Sequence, residues 1–210
     1  MLNFGNRIFP ADFSPSVRTM SPFLAELKQL FKEMDRAYRE TAVHFGFECR
    51  GCEQSCCLTE FYHHTFLEYF YLREGFQNLT ASEQARIAKS ARCATLAYAD
   101  KKASDEAMRT LCPLNADQRC LLYSHRPMIC RLHGIPHILH HPVKGAVIGP
   151  GCHLFEAGRR GKQGLQFDRT PFYTSLAGLE KRLRRTFNLT GKIQLTVADM
   201  IEMIAAEVEP

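Results

Sequence analysis

Apolar residues return at three- and four-residue steps from Phe23 to Met34, through Leu24, Leu27, Leu30 and Phe31. That stripe predicts an amphipathic helix. Ser21-Pro22 supplies an N-cap followed by proline at the first helical position, and Gly46 can end the element, so the helix is expected over about 21–45. Thr59 to Gly75 predicts a second helix, with Phe66, Tyr69, Phe70 and Leu72 as its bulk. Thr80-Ala-Ser-Glu83 has capping-box spacing and opens a third that reaches about Lys101. Residues 103–110 suit one more short helix, and Arg126-Pro127 can start another through Leu132. Between Ile135 and Cys152, apolar and β-branched residues flank Lys144-Gly145 and predict a small hairpin. Thr170-Pro171 and Thr196…Asp199 open two C-terminal helices ending near Phe187 and Val208.

The pattern gives a mainly α fold: a helical domain around a loop-rich cysteine core with one small β-hairpin. Residues 1–20 show no period and contain Pro10 and Pro15, so they read as an extended arm. Residues 21–156 hold the cysteine-rich domain. Residues 157–210 begin with a basic, glycine-rich linker and continue into C-terminal helices that pack on that domain or present a partner surface. A chain of 210 residues suits one domain with such an appendage. With 45% hydrophobic and 23% charged residues it can form an ordinary core, and its apolar runs are too short to span a bilayer. The net charge of +5 is mild and does not argue for nucleic acid.

Eight of the nine cysteines fall in two blocks, and this changes the picture most. The first is Cys49-Arg-Gly-Cys52-Glu-Gln-Ser-Cys56-Cys57. The second holds Cys112, Cys120, Cys130 and Cys152. The N-terminal stretch does not pair a basic start with a continuous apolar run, so it does not read as a secretory signal, and a cytoplasmic location is expected. There, dense thiols read as metal ligands rather than disulfides. Sulfur ligation fits zinc or an iron–sulfur cluster. All eight are candidate ligands, as two four-sulfur sites, as one cluster with a second group left over, or as a bridged site. Adjacent side chains diverge, so Cys56 and Cys57 serve two centres or one of them is not a ligand. Cys93 stands apart, inside the third helix, and is expected to be a small buried residue.

Among the nine histidines, His133 and His153 are the reserve ligands beside Cys130 and Cys152. Arg50, Arg119, Arg126 and Arg131 flank cysteines, either to offset thiolate charge or as ordinary surface residues. Gly158-Arg-Arg-Gly161-Lys-Gln-Gly164 lacks P-loop or Rossmann spacing and reads as a surface loop. Nothing matches a Ser-His-Asp arrangement.

Cys112-Pro113, Cys120, Tyr123, Arg126-Pro127 and Cys130-Arg131, together with the first cysteine block, resemble the YkgJ-like cysteine-cluster family. The resemblance covers about residues 49–152. That family's motif is Cys-x-x-Cys-x-x-Cys-Cys, whereas three residues separate Cys52 from Cys56 here. The resemblance implies a zinc- or iron-chelating domain. The expected function is a metal-binding protein with a cysteine-ligated iron–sulfur cluster, used in electron transfer or in maturation of another protein, with a protein partner. Structural zinc in an interaction protein is the first alternative. Relatives in that family assigned as flagellin lysine methylases make a protein-lysine methyltransferase-like enzyme the second, although no motif for its cofactor is present.

Overall fold

The computed structural model describes residues 17–49, 56–104, 110–158 and 166–208. Among these, seven α-helices dominate, with one two-stranded ladder and one three-stranded sheet, so the fold is mainly α. The helices are α1 (Val17–Phe45), α2 (Phe66–Gln77), α3 (Ala81–Ser104), α4 (Met128–Leu132), α5 (His153–Gly158), α6 (Thr170–Phe187) and α7 (Val197–Val208). The strands are β1 (Asn115–Ala116), β2 (Arg119–Cys120), β3 (His137–His141), β4 (Gly145–Gly149) and β5 (Phe167–Asp168). Among the described residues no helix is long and apolar enough to cross a membrane.

The chain divides into two compact units, each built from separated stretches. The first takes the described parts of 51–127 and 187–210. In it α7 packs along α3 and against α2. Ile87, Ala91 and Ala94 form the buried stripe of α3. The two alanines leave room for Met200, Ile201 and Ile204 of α7, all fully buried. Helix α2 is apolar on nearly every side and sits in the centre, with Phe66, Leu67, Tyr69, Leu72 and Phe76 buried. Its Tyr69 hydroxyl donates to Glu207 at 2.6 Å, and Arg73 reaches the same carboxylate at 2.8 Å. Capping boxes start two of these helices: Thr80 with Glu83, and Thr196 with Asp199.

The second unit takes the described parts of 17–50 and 128–186. Leu24, Leu27, Phe31 and Met34 bury the predicted stripe of α1. Strands β3 and β4 form the expected hairpin about Lys144-Gly145, and β5 adds to β3 in parallel. Helix α6 carries Leu176, Leu179 and Leu183 into the core and bridges to α1 through Arg182 and Glu26.

Several expectations are corrected. Helix α1 begins at Val17, so residues 17–20 are helical rather than part of an arm, and Pro22 lies inside the helix. Pro22 is exposed in the second turn, where it forgoes the bond to the residue-18 carbonyl. Residues 1–16 lie outside the described residues. The second helix begins only at Phe66, because Thr65 caps it by accepting from the Glu68 N–H. His63, just upstream, is held extended by paired backbone bonds with Leu195. Helix α5 and strand β5 occupy parts of the stretch expected to be linker. Cys93 is exposed: it lies off the Ile87–Ala91–Ala94 stripe, on the solvent side of α3.

Candidate metal centre

In the first unit, local turns bring Cys112 and Cys120 of the second block beside Cys57 of the first. Cys112 opens a turn closed by the Asn115 N–H to the Cys112 carbonyl at 2.9 Å. Pro113 and Leu114 are buried and anchor it. Strands β1 and β2 then fold back in register, with Asn115 opposite Cys120. The two residues between them, Asp117 and Gln118, both take positive φ, 50° and 63°, as a tight two-residue hairpin requires. This places Cys120 back beside the Cys112 turn, where the Leu121 N–H also bonds the Leu114 carbonyl at 2.8 Å. The first block joins through one backbone bond: the Cys112 N–H donates to the Cys57 carbonyl at 2.8 Å. Cys57 lies in a single 3₁₀ turn, Cys56–Leu58.

Cys57 and Cys120 each lie within electrostatic reach of the Cys112 thiol. Burial pushes the Cys112 thiol up to about 12, and charge on Cys57 or Cys120 pushes it the same way, while the Leu114 N–H pulls back. Tyr98 of α3 is pushed up to about 12 as well, first by burial and then by Cys112, Glu60, Asp199 and Tyr62. The Tyr62 hydroxyl donates to Glu60. Charges from α7, the 60–62 segment and Cys112 thus converge on Tyr98 of α3. Sequence reasoning missed Tyr98 and Glu60 and read Asp199 as a cap alone; no spacing rule connects residues this far apart.

In the second unit, the segments that carry Cys49, Cys130 and Cys152 converge on Gly134. Cys130 lies in α4, which ends just before Gly134. The Cys152 N–H donates to the Gly134 carbonyl at 3.0 Å. Gly151 makes that approach possible: its φ is +100°, and a Cβ there would lie 2.8 Å from the Gly134 oxygen. Phe47, two residues before Cys49, packs on Phe155 with ring centroids 5.4 Å apart, and its ring also lies over Gly134. The β3–β4 hairpin thus carries Cys152 to the turn after α4.

Among the described residues no disulfide links two cysteines. Cys52 lies outside the described residues, as do Arg50 and most of the glycine-rich 158–164 loop. Among the described residues no group of three or more His, Cys, Asp or Glu side chains is arranged to hold a metal ion. The donor chemistry at Cys57, Cys112 and Cys120 still suits a soft metal: three sulfurs from separate segments, one of them costly to ionise unless a cation replaces its proton.

The flanking side chains have their own partners. The Arg126 Nε donates to the Tyr123 carbonyl at 2.9 Å, and its guanidinium lies 3.6 Å over the Tyr123 ring. Arg131 is buried, bonds Asp35 at 2.6 Å and lies over the Phe31 ring. Structural contacts thus account for the Tyr123, Arg126 and Arg131 positions of the motif. His153 is exposed at the start of α5. His133 is half-buried, and burial, then the Arg169 charge, hold its imidazole below the usual range. No family model, curated protein or solved structure matches the chain.

Proposed function

We propose that the protein binds a metal through cysteine thiolates, as an iron–sulfur cluster, and serves in electron transfer or in maturation of a protein partner, in keeping with its resemblance to the YkgJ-like family. The observation that carries this reading is the bond from the Cys112 N–H to the Cys57 carbonyl, which joins the two cysteine blocks inside one unit. Cys57, Cys112 and Cys120 are the candidate ligands there, with Cys52 the next candidate. Cys49, Cys130 and Cys152 form a second candidate group, and Cys56 is the spare of its vicinal pair. When bound, a cluster supplies one-electron chemistry, whereas zinc supplies a structural crosslink. The chain's own contribution is positional. The Asp117-Gln118 turn sets Cys120 beside Cys112, Pro113 and Leu114 bury that turn, and partial burial makes the Cys112 thiol costly to ionise.

The test is elemental analysis and a visible spectrum of protein purified without oxygen. Iron with inorganic sulfide and a brown colour supports the cluster. Stoichiometric zinc in a colourless protein supports the structural alternative. Protein that binds neither metal after anaerobic reconstitution overturns the reading.

A further inference from the structure

Two arginines are buried in the second unit, and their surroundings differ. Arg131 is 6% exposed and has Asp35 as its counter-ion at 2.6 Å. Arg169 is 5% exposed, yet among the described residues no carboxylate stands against it. Its Nη2 donates to the Leu132 carbonyl. Its Nε is fully buried and has no hydrogen-bond partner among the described residues. The acid next to it in sequence, Asp168, is exposed and accepts from the Thr170 N–H at 2.8 Å. The side chains whose charge would favour the guanidinium are phenols, Tyr173 and Tyr38. The Tyr38 hydroxyl already donates to the His133 carbonyl at 2.8 Å.

A fixed positive charge out of water needs a counter-charge, and guanidinium keeps its proton where other groups would shed theirs. Burial lowers Arg169 only to about 10, so it stays charged at neutral pH. Two imidazoles face the same charge. His133 follows α4 and His137 opens β3; burial first, and the Arg169 charge second, hold both below the usual range. Strand β5 brings Arg169 to them, because it pairs with β3 and the Arg169 N–H donates to the Ile138 carbonyl at 2.9 Å.

We propose that Arg169, with His133 and His137, binds a small oxyanion, a carboxylate or a phosphate, at the junction of α4, β3 and β5. The planar guanidinium fork suits both anions, and each imidazole can add a donor. The site does not rest on the metal reading: His133 is a reserve ligand beside Cys130, but Arg169 and His137 are not ligand candidates, and the charge to be balanced belongs to the chain itself.

The test follows imidazole nuclear magnetic resonance signals of the full ¹⁵N-labelled chain during titration with sodium phosphate and, separately, sodium acetate. Sodium chloride holds the ionic strength constant. Saturable shifts at His133 and His137, absent from the other histidines, are expected with at least one anion. A tighter phosphate response marks a phosphoryl ligand, and a tighter acetate response marks a carboxylate. Arg169→Met should weaken the response on the order of 30-fold. Should that variant not fold, Arg169→Lys, which keeps charge and loses the fork, should weaken it about tenfold. Signals that follow chloride as well as they follow either anion, or an affinity unchanged in the variants, would overturn the proposal.

Discussion

A thiol held at about 12 stays protonated at neutral pH, so Cys112 is a poor nucleophile unless a cation takes the place of its proton. A metal would have to displace that proton, so under the proposed reading the choice of cysteine should matter sharply. Cys112→Ser is expected to lower metal content, because it exchanges a soft donor for a hard one and leaves Cys57 and Cys120 without their shared neighbour. Cys93→Ala, on the exposed side of α3, should leave metal content unchanged and cost about 1 kcal/mol or less. Metal analysis of the two variants checks the ranking, and equal losses would remove the distinction. His133 supports a prediction of another kind. Its folded imidazole ionises below the ordinary histidine value of 6.5, so the unfolded chain binds the proton more readily. The contribution is present above pH 6.5 and is lost as pH falls through the folded value. Thermal melts from pH 7.5 to pH 5.5 should therefore show falling stability, with a shallower fall in His133→Gln; equal slopes would mean that other groups govern the acid response.

At the scale of elements, the segment after Cys120 is docked onto α2 by a fit that admits little change. The Tyr71 hydroxyl donates to the Ser124 carbonyl at 2.7 Å, and the Tyr71 and His125 rings lie 4.7 Å apart. Beside them Gly75 leaves space for His125, and a Cβ added there would lie 2.5 Å from its Cγ. Gly75→Ala should thus destabilise by about 1–3 kcal/mol through overpacking, although alanine is the better helix former. His125→Ala added to it should recover part of the loss, and a double-mutant cycle by denaturant melts would show the coupling. Additive losses would mean that the two residues do not meet. This contact also marks where the sequence stops being informative. Capping boxes at Thr80 and Thr196, the stripe of α1 and the 137–149 hairpin were legible because each is written in neighbouring residues. The β1–β2 hairpin was not, since Asp117-Gln118 takes positive φ without the glycine that usually signals such a turn. Nor was the late start of α2, where Phe61 and Tyr62 extend the aromatic pattern upstream while His63 is held extended by pairing with Leu195.

On the scale of the whole molecule, the chain changes units within both cysteine blocks, once between Cys49 and Cys56 and once between Cys120 and Cys130. Sequence spacing groups these residues by proximity along the chain; the fold groups Cys57 with Cys112 and Cys120, and places Cys130 with Cys152. No periodicity could have told which helices share a unit, because α1 and α3 each show only that one face is buried. The regrouping makes the effect of metal removal local. The turn from Cys112 to Cys120 has only two short strands and a few backbone bonds of its own, so a ligand bond there should contribute much of its order. In the other unit, α1 buries Leu27, Phe31 and Met34 in an apolar core of its own. If Cys57, Cys112 and Cys120 hold the metal, stripping it with a chelator should speed amide hydrogen exchange across residues 110–122 by tenfold or more, about 1.4 kcal/mol of local opening free energy, while α1 keeps its protection. Mass spectrometry of peptides from both regions decides the matter. Equal acceleration in α1, or no change across 110–122, would show that the thiols of the first unit do not hold the metal that was removed.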